Sequence, residues 1–211
     1  MGKKIDYLWN NWNEKDWNNA LGHYFDAVKD SNVELEEELD NLNPETIKKM
    51  SVTEFYNFLH DKYFVWKFTA PNRLATTRMS LEKYLVDGNM AELEEIHNLL
   101  FKYSPDNTLS LLKTVHRIKG LGVAGASGLL SLLFPKYFGT VDQFVVQRLS
   151  EVQNLKEHNQ IMAINPKSIN EKNGMLLINI MRNKADELNK KFKTTEWTPR
   201  KIDKILWSID R

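Results

Sequence analysis

A chain of 211 residues with 42% hydrophobic side chains is long enough to bury one core of ordinary domain size, or two intimately packed lobes. The absence of cysteine excludes disulfides, thiolate metal sites and a four-cysteine iron–sulfur cluster, and a net charge of +1 singles out no class of partner. The longest apolar run, Gly128 to Phe134, is far short of the roughly 18 residues of a membrane-spanning helix, so no membrane contact is expected.

The opening, MGKKIDYLWNNW, has no apolar h-region, so no signal peptide and an intracellular, cytoplasmic protein are expected. Ile5, Leu8, Trp9 and Trp12 follow helical spacing, and Trp17, Leu21 and Phe25 continue the stripe; aromatics so spaced are core. The acidic segment Glu34 to Asp40 reads as an exposed short helix with Leu35 and Leu39 inward. Pro44 opens another short helix, and Ser51 with Glu54 three residues on forms a capping box ahead of Phe55, Phe58, Leu59, Tyr63 and Trp66. The aromatic and β-branched stretch 63–73 also suits a strand, but Pro71 disfavours helix at Ala70 and argues for a helix end and a turn there. Beyond the turn, Asn72, Arg73, Thr76, Thr77 and Arg78 form a polar cluster suited either to capping and surface ion pairs or to phosphates.

Helices are predicted over Met90 to Tyr103 and Thr108 to Ile118, punctuated by Ser104-Pro105-Asp106. Residues 126–133 are apolar nearly all round except Ser127 and Ser131, which share a face; such a helix belongs in the middle of a bundle. Ser150 to Lys167 is polar, with an exposed connection around Asn165-Pro166, and a long helix is predicted from about Ser168 to Phe192. Thr198 as N-cap and Pro199 at the first position start a terminal helix with Ile202, Ile205, Leu206 and Ile209 on one face. One all-α domain over residues 1–211 is expected, its core about 108–150, with the helices of 1–107 and 168–211 packed around it. The five histidines, His23, His60, His97, His116 and His158, have no metal-ligand spacing, so no metal site is expected.

The most informative stretch runs from Ile118 to Leu149. Lys119-Gly120-Leu121-Gly122-Val123-Ala124-Gly125-Ala126-Ser127, the apolar helix after it, and Thr140-Val141-Asp142 before Gln143-Phe144-Val145-Val146 together resemble the helix-hairpin-helix DNA glycosylase superfamily, the endonuclease III-like group. The resemblance covers about 30 of the 211 residues. It implies a multi-helix bundle of two intimately packed lobes, a hairpin whose backbone amides grip a DNA phosphate, and a catalytic aspartate, here Asp142. It also implies a monovalent cation on the hairpin carbonyls. The chain departs from the family pattern at Ala124, where members that cut the backbone carry a lysine, so a Schiff base from that position is excluded and no lyase activity is expected. It departs again at Phe138-Gly139-Thr140, where many members have a proline, and at Gln147, where several have an arginine; here the arginine is Arg148.

Charge is unevenly spread. Residues 1–45 hold 4 basic and 11 acidic side chains, 111–150 hold 5 and 1, and 167–211 hold 11 and 6. A basic later half around a phosphate-gripping hairpin has the footprint of a nucleic-acid binder, although ordinary solvated helix faces produce such asymmetry as well. The expectation is base excision by a monofunctional N-glycosylase on a flipped base in duplex DNA, with the alternative of a non-catalytic DNA-binding or interaction module. Lys119, Gly120, Leu121, Gly122, Val123 and Ala124 are the candidate phosphate contacts, and Tyr56, Tyr63, Trp66, Arg73 and Arg78 the candidates for the base pocket or further DNA contact. For Asp142 taken alone, a helix N-cap is the ordinary role.

Overall fold

The computed structural model describes residues 4–210; residues 1–3, where the segment read for a leader begins, and residue 211 lie outside the described residues. Among the described residues all regular structure is helical and there is no strand. No helix is long and apolar enough to cross a membrane.

Helices α1 (Lys4–Asn10) and α2 (Glu14–Ala27) do not form the continuous stripe expected. The Asn13 side chain accepts the Lys15 N–H at 3.0 Å and restarts the helix with a new phase. Trp12 and Phe25 are consequently 43% and 40% exposed, and Tyr24 takes the buried place instead. In α3 (Asp30–Asp40) Leu39 is buried as expected, but so is Glu36, which contradicts an exposed acidic face. Burying that carboxylate is tolerable because Tyr24 and Trp66 donate to it and Arg200 pairs with it.

After α4 (Pro44–Lys48), the capping box forms at the start of α5 (Val52–Phe58), with Ser51 and Glu54 bonded reciprocally. A π-helical turn, Leu59–Tyr63, joins α5 to α6 (Phe64–Lys67), and Pro71 opens α7 (Pro71–Val86), so residues 63–73 take the helix-and-turn form. A π turn inserts a residue into the helix and rotates the side chains beyond it, and such turns recur at functional sites. Here Tyr63 and Lys67 come to lie against the helix at the centre of the protein.

That helix is α10 (Val123–Leu133), delivered by α8 (Met90–Lys102) and α9 (Thr108–His116). Every residue of α10 except Ala124 is buried, and it packs on α9, α13 (Glu171–Phe192) and α14 (Pro199–Ser208). Gly128 makes one of these approaches possible, since a Cβ there would stand 2.7 Å from the Tyr63 hydroxyl oxygen. A loop leads on to α11 (Gln143–Leu149).

The stretch 150–167 is less open than its polarity implies. It contains α12 (His158–Met162), and Val152, Ile161 and Ile164 are buried. Helix α13 begins at Glu171, later than expected, because Asn170 caps it by accepting the Asn173 N–H. Helix α14 has the expected Thr198 cap, but its packing goes beyond one apolar face. Arg200, Asp203, Lys204 and Ser208 are buried alongside Ile202, Ile205 and Leu206.

Candidate active site

The loop before α11 is pinned residue by residue. The Thr140 N–H donates to Asp203 of α14 at 2.7 Å, and the Val141 N–H donates to the Ser127 hydroxyl of α10 at 3.0 Å. Ser131, a turn further along α10, shares a 3.1 Å hydrogen bond with the Thr140 hydroxyl. Of the two serines that interrupt the apolar helix, Ser127 therefore holds the backbone and Ser131 the Thr140 side chain just ahead of Asp142. Buried polar groups are retained where they are satisfied in this way.

Asp142 is the N-cap of α11. Its Oδ1 accepts the Phe144 N–H at 2.9 Å and the Val145 N–H at 3.3 Å, while Oδ2 lies 3.8 Å from Lys67 Nζ. One oxygen is thus spent on the helix start and the other lies toward a cation, and both Asp142 and Lys67 line a cavity. The side chains of Asp142 and Lys67 are 20% and 11% exposed. Burial pulls the Lys67 ammonium below the usual lysine range, and the carboxylates of Asp142 and Asp203 oppose that pull.

The cavity has a volume of about 300 Å³. That stands at the lower end of the range for small-molecule sites, about 300–1,000 Å³. Trp66, Phe144 and Trp207 supply aromatic wall, and Lys67, Asp142 and Asn32 are among its polar groups. Larger hollows of about 460 and 510 Å³ lie between the ends of α1, α2 and α14 and over α2 and α14, but neither contains Asp142.

Arg200 and Glu36, which also line the cavity, belong to a buried ionic cluster centred on Arg200. Its guanidinium reaches Glu36 at 2.9 Å, Asp203 at 3.1 Å and Asp40 at 3.5 Å, and lies 5.3 Å from the Trp66 ring centroid. Burial works against its charge, but Asp203, Tyr24, Glu36 and Asp40 more than offset that, so the guanidinium stays ionised. Burial also raises the Asp203 carboxyl above its ordinary range, with Arg200 and the Thr140 N–H acting the other way. Lys204 pairs with Asp40. This cluster consumes part of the charge asymmetry seen along the chain: acidic α3 and basic α14 neutralise each other inside the protein.

The basic 111–150 stretch is likewise partly occupied. Arg117 pairs with Glu95, Arg148 with Glu151 and Asp210, and Lys119 with Asp87 and Glu92. Lys119 Nζ also lies 4.4 Å from the Tyr84 ring centroid, so the side chain is held by neighbours and is not a freely solvated lysine. In the α9–α10 turn Gly120 has φ +94, a left-handed conformation, and the Leu121 N–H is taken up by Ile118 O at 3.0 Å. Gly122 is exposed, and the first turn of α10 starts with Val123 and Ala124. Residues 119–124 do not line the Asp142 cavity.

Of the five candidate pocket or contact residues, only Trp66 lines that cavity. Tyr63 is fully buried, with its hydroxyl donating to Gly125 O and its phenol pushed up by burial. Tyr56 is buried with its ring stacked on His60. Arg78 donates to His60 O from Nε at 3.0 Å and Nη2 at 2.9 Å, and Arg73 is exposed, 5.6 Å from the Phe68 ring centroid. Helical spacing puts the aromatics on one helical segment, but the π turn decides which of them meets the cavity. Lys67, Glu36, Arg200 and Asp203 belong to no motif that sequence reasoning singles out. The spacing of Arg200 and Asp203, one helical turn apart beside the isoleucine face, is the signal that could have found two of them.

Comparison of the chain with family models, with curated proteins and with solved structures finds no match.

Proposed function

We propose that this protein releases bases from DNA as an N-glycosylase, with Asp142 as the carboxylate that faces the sugar. The observation that carries this reading is the division of labour at Asp142. One oxygen fixes the side chain to α11, the other lies toward Lys67, and the residue lines a cavity with aromatic walls. Breaking the bond from base to deoxyribose builds positive charge on the sugar, and a fixed anion beside it favours that charge in the transition state. A base must leave the duplex stack to be acted on, and Trp66, Phe144 and Trp207 offer it surfaces to stack against. The three hydrogen bonds that pin Thr140 and Val141 support the reading further, because positioned charge is effective only on a rigid mount.

The α9–α10 turn supplies the second element, a helix-hairpin-helix motif in this reading. Exposed Gly122 and the amides at the start of α10 would take a DNA phosphate, which anchors the strand without reading its sequence. The monovalent cation implied by the resemblance fits the hairpin carbonyls chemically. Ile118 O and Gly122 O each accept a backbone hydrogen bond, and a carbonyl oxygen has a second lone pair for a hard cation.

A non-catalytic DNA-binding or interaction module is the second reading. It draws on the ordinary capping role of Asp142 and on the pairing of Lys119 with Asp87 and Glu92. The two part on one assay: duplexes bearing damaged, mismatched or modified bases are incubated with the protein and released base is measured directly. Release from at least one substrate upholds the glycosylase; binding to duplexes with no release from any of them upholds the module.

A further inference from the structure

Inside the π turn that joins α5 to α6 the backbone hydrogen bonds are spaced differently from those of an α-helix. In an α-helix the Phe64 N–H would donate to His60 O, four residues back. Here it donates to Leu59 O, five residues back, so His60 O loses that donor. Arg78, on α7, supplies two in its place: Nε donates to the His60 carbonyl at 3.0 Å and Nη2 at 2.9 Å. A carbonyl oxygen has two lone pairs, and a planar guanidinium fork is the side chain that meets both. The Arg78 pair with Asp61 is looser, at 3.9 Å to a carboxylate that is 63% exposed.

We infer that Arg78 is a positioning residue: by holding His60 O it keeps the π turn, and the turn brings Trp66 and Lys67 to the Asp142 cavity. The competing arrangement is the α-helical one, in which the Phe64 N–H returns to His60 O and the side chains beyond are turned by about 100°, one residue's worth of helix. Three contacts depend on the present register. The Tyr63 hydroxyl donates to Gly125 O of α10, Trp66 donates to Glu36, and Lys67 Nζ lies 3.8 Å from Asp142. Arg78 is a partner in none of them and does not line the cavity, so it acts through the helix. What Arg78 does to the helix is independent of the reaction; what it does to base release rests on the glycosylase reading.

The test uses the full chain labelled with 5-fluorotryptophan, its Trp66 fluorine-19 resonance assigned by loss of that signal in Trp66→Phe. Arg78→Met keeps an aliphatic stem and removes the fork. It is expected to move the Trp66 resonance by more than its linewidth while those of Trp12 and Trp197 stay. It should also slow single-turnover base release by about tenfold or more, with duplex affinity within about twofold of wild type. Ser51→Ala removes the cap of the same helix, controls for a plain loss of stability, and should change neither readout in the folded protein. Where Arg78→Met does not fold, Arg78→Lys, which lacks the fork but keeps a donor, serves instead and should move both readouts in the same direction. A Trp66 resonance unmoved in the folded variant, or moved equally in Ser51→Ala, overturns the role of Arg78. Release by the wild type with an unmoved resonance in the variant sinks that role alone, and a moved resonance with no release by the wild type from any substrate sinks the glycosylase reading while the role of Arg78 stands.

Discussion

The hydroxyl of Ser127, fully buried on α10, accepts the backbone N–H of Val141 at 3.0 Å, and the next residue in the chain is Asp142. A serine in an otherwise apolar helix thus sets the height at which the carboxylate stands. Removing it leaves a buried N–H without a partner, which costs about 1–3 kcal/mol. Ser127→Ala is expected to lower stability by that amount in urea denaturation. It should also reduce base release more than the loss of stability alone explains, measured where the variant is still fully folded.

Arg200 holds three carboxylates. Breaking a buried ion pair by removing one partner leaves uncompensated charge, so Arg200→Met is expected to cost about 3–5 kcal/mol. Arg117→Met, which removes a pair with Glu95 at the surface, should change stability by less than about 1 kcal/mol. Parallel denaturant titrations of the two variants compare them directly.

The two glycines of the α9–α10 turn have different duties. Gly120 sits at φ +94 and a Cβ there would stand 2.7 Å from Thr77 O, so Gly120→Ala is expected to destabilise the fold by about 1–3 kcal/mol. At Gly122 a Cβ meets nothing within 4 Å. Gly122→Asp should therefore keep the thermal midpoint of the wild type and lose about tenfold or more in DNA affinity at fixed salt, through repulsion of the phosphate. Unchanged affinity would refute the phosphate grip.

His97 adds a pH dependence. Its Nε2 donates to Ile47 O at 2.8 Å within the core, and burial lowers its pKa, with Ile47 O and Glu94 acting the other way. A histidine depressed in the folded state contributes stability that is present above its unfolded value, roughly 6.5, and lost as pH falls through the folded value. Wild-type stability should fall on acidification below about pH 6.5, and His97→Gln should flatten that part of the profile. An identical profile in the variant would remove His97 as the cause.

Much of the fold is legible in the sequence because helix starts are written locally. The capping box at Ser51 and Glu54, Pro71 after Ala70, and Thr198 with Pro199 each act within a few residues, and each forms as expected. Ser127 and Ser131 stand out as polar interruptions in an apolar helix, though the spacing does not say what they hold. Burial of Glu36 is illegible, because it depends on Tyr24, Trp66 and Arg200 arriving from three other helices. The choice of Trp66 over Tyr63 as the cavity residue turns on one π-helical turn, which no periodic pattern announces. The ion pairs of Lys119 are equally illegible, because its partners, Asp87 and Glu92, lie far back in the chain.

The central claim is that the Asp142 oxygen not used in capping α11 lowers the barrier to base release. Single-turnover release from a cleaved duplex substrate, wild type against Asp142→Asn, tests it most directly, because asparagine can still accept the Phe144 N–H that caps α11. The predicted result is a fall of at least about 100-fold in rate with duplex affinity retained. A rate within about twofold of wild type, in a variant that binds and melts like wild type, would contradict it.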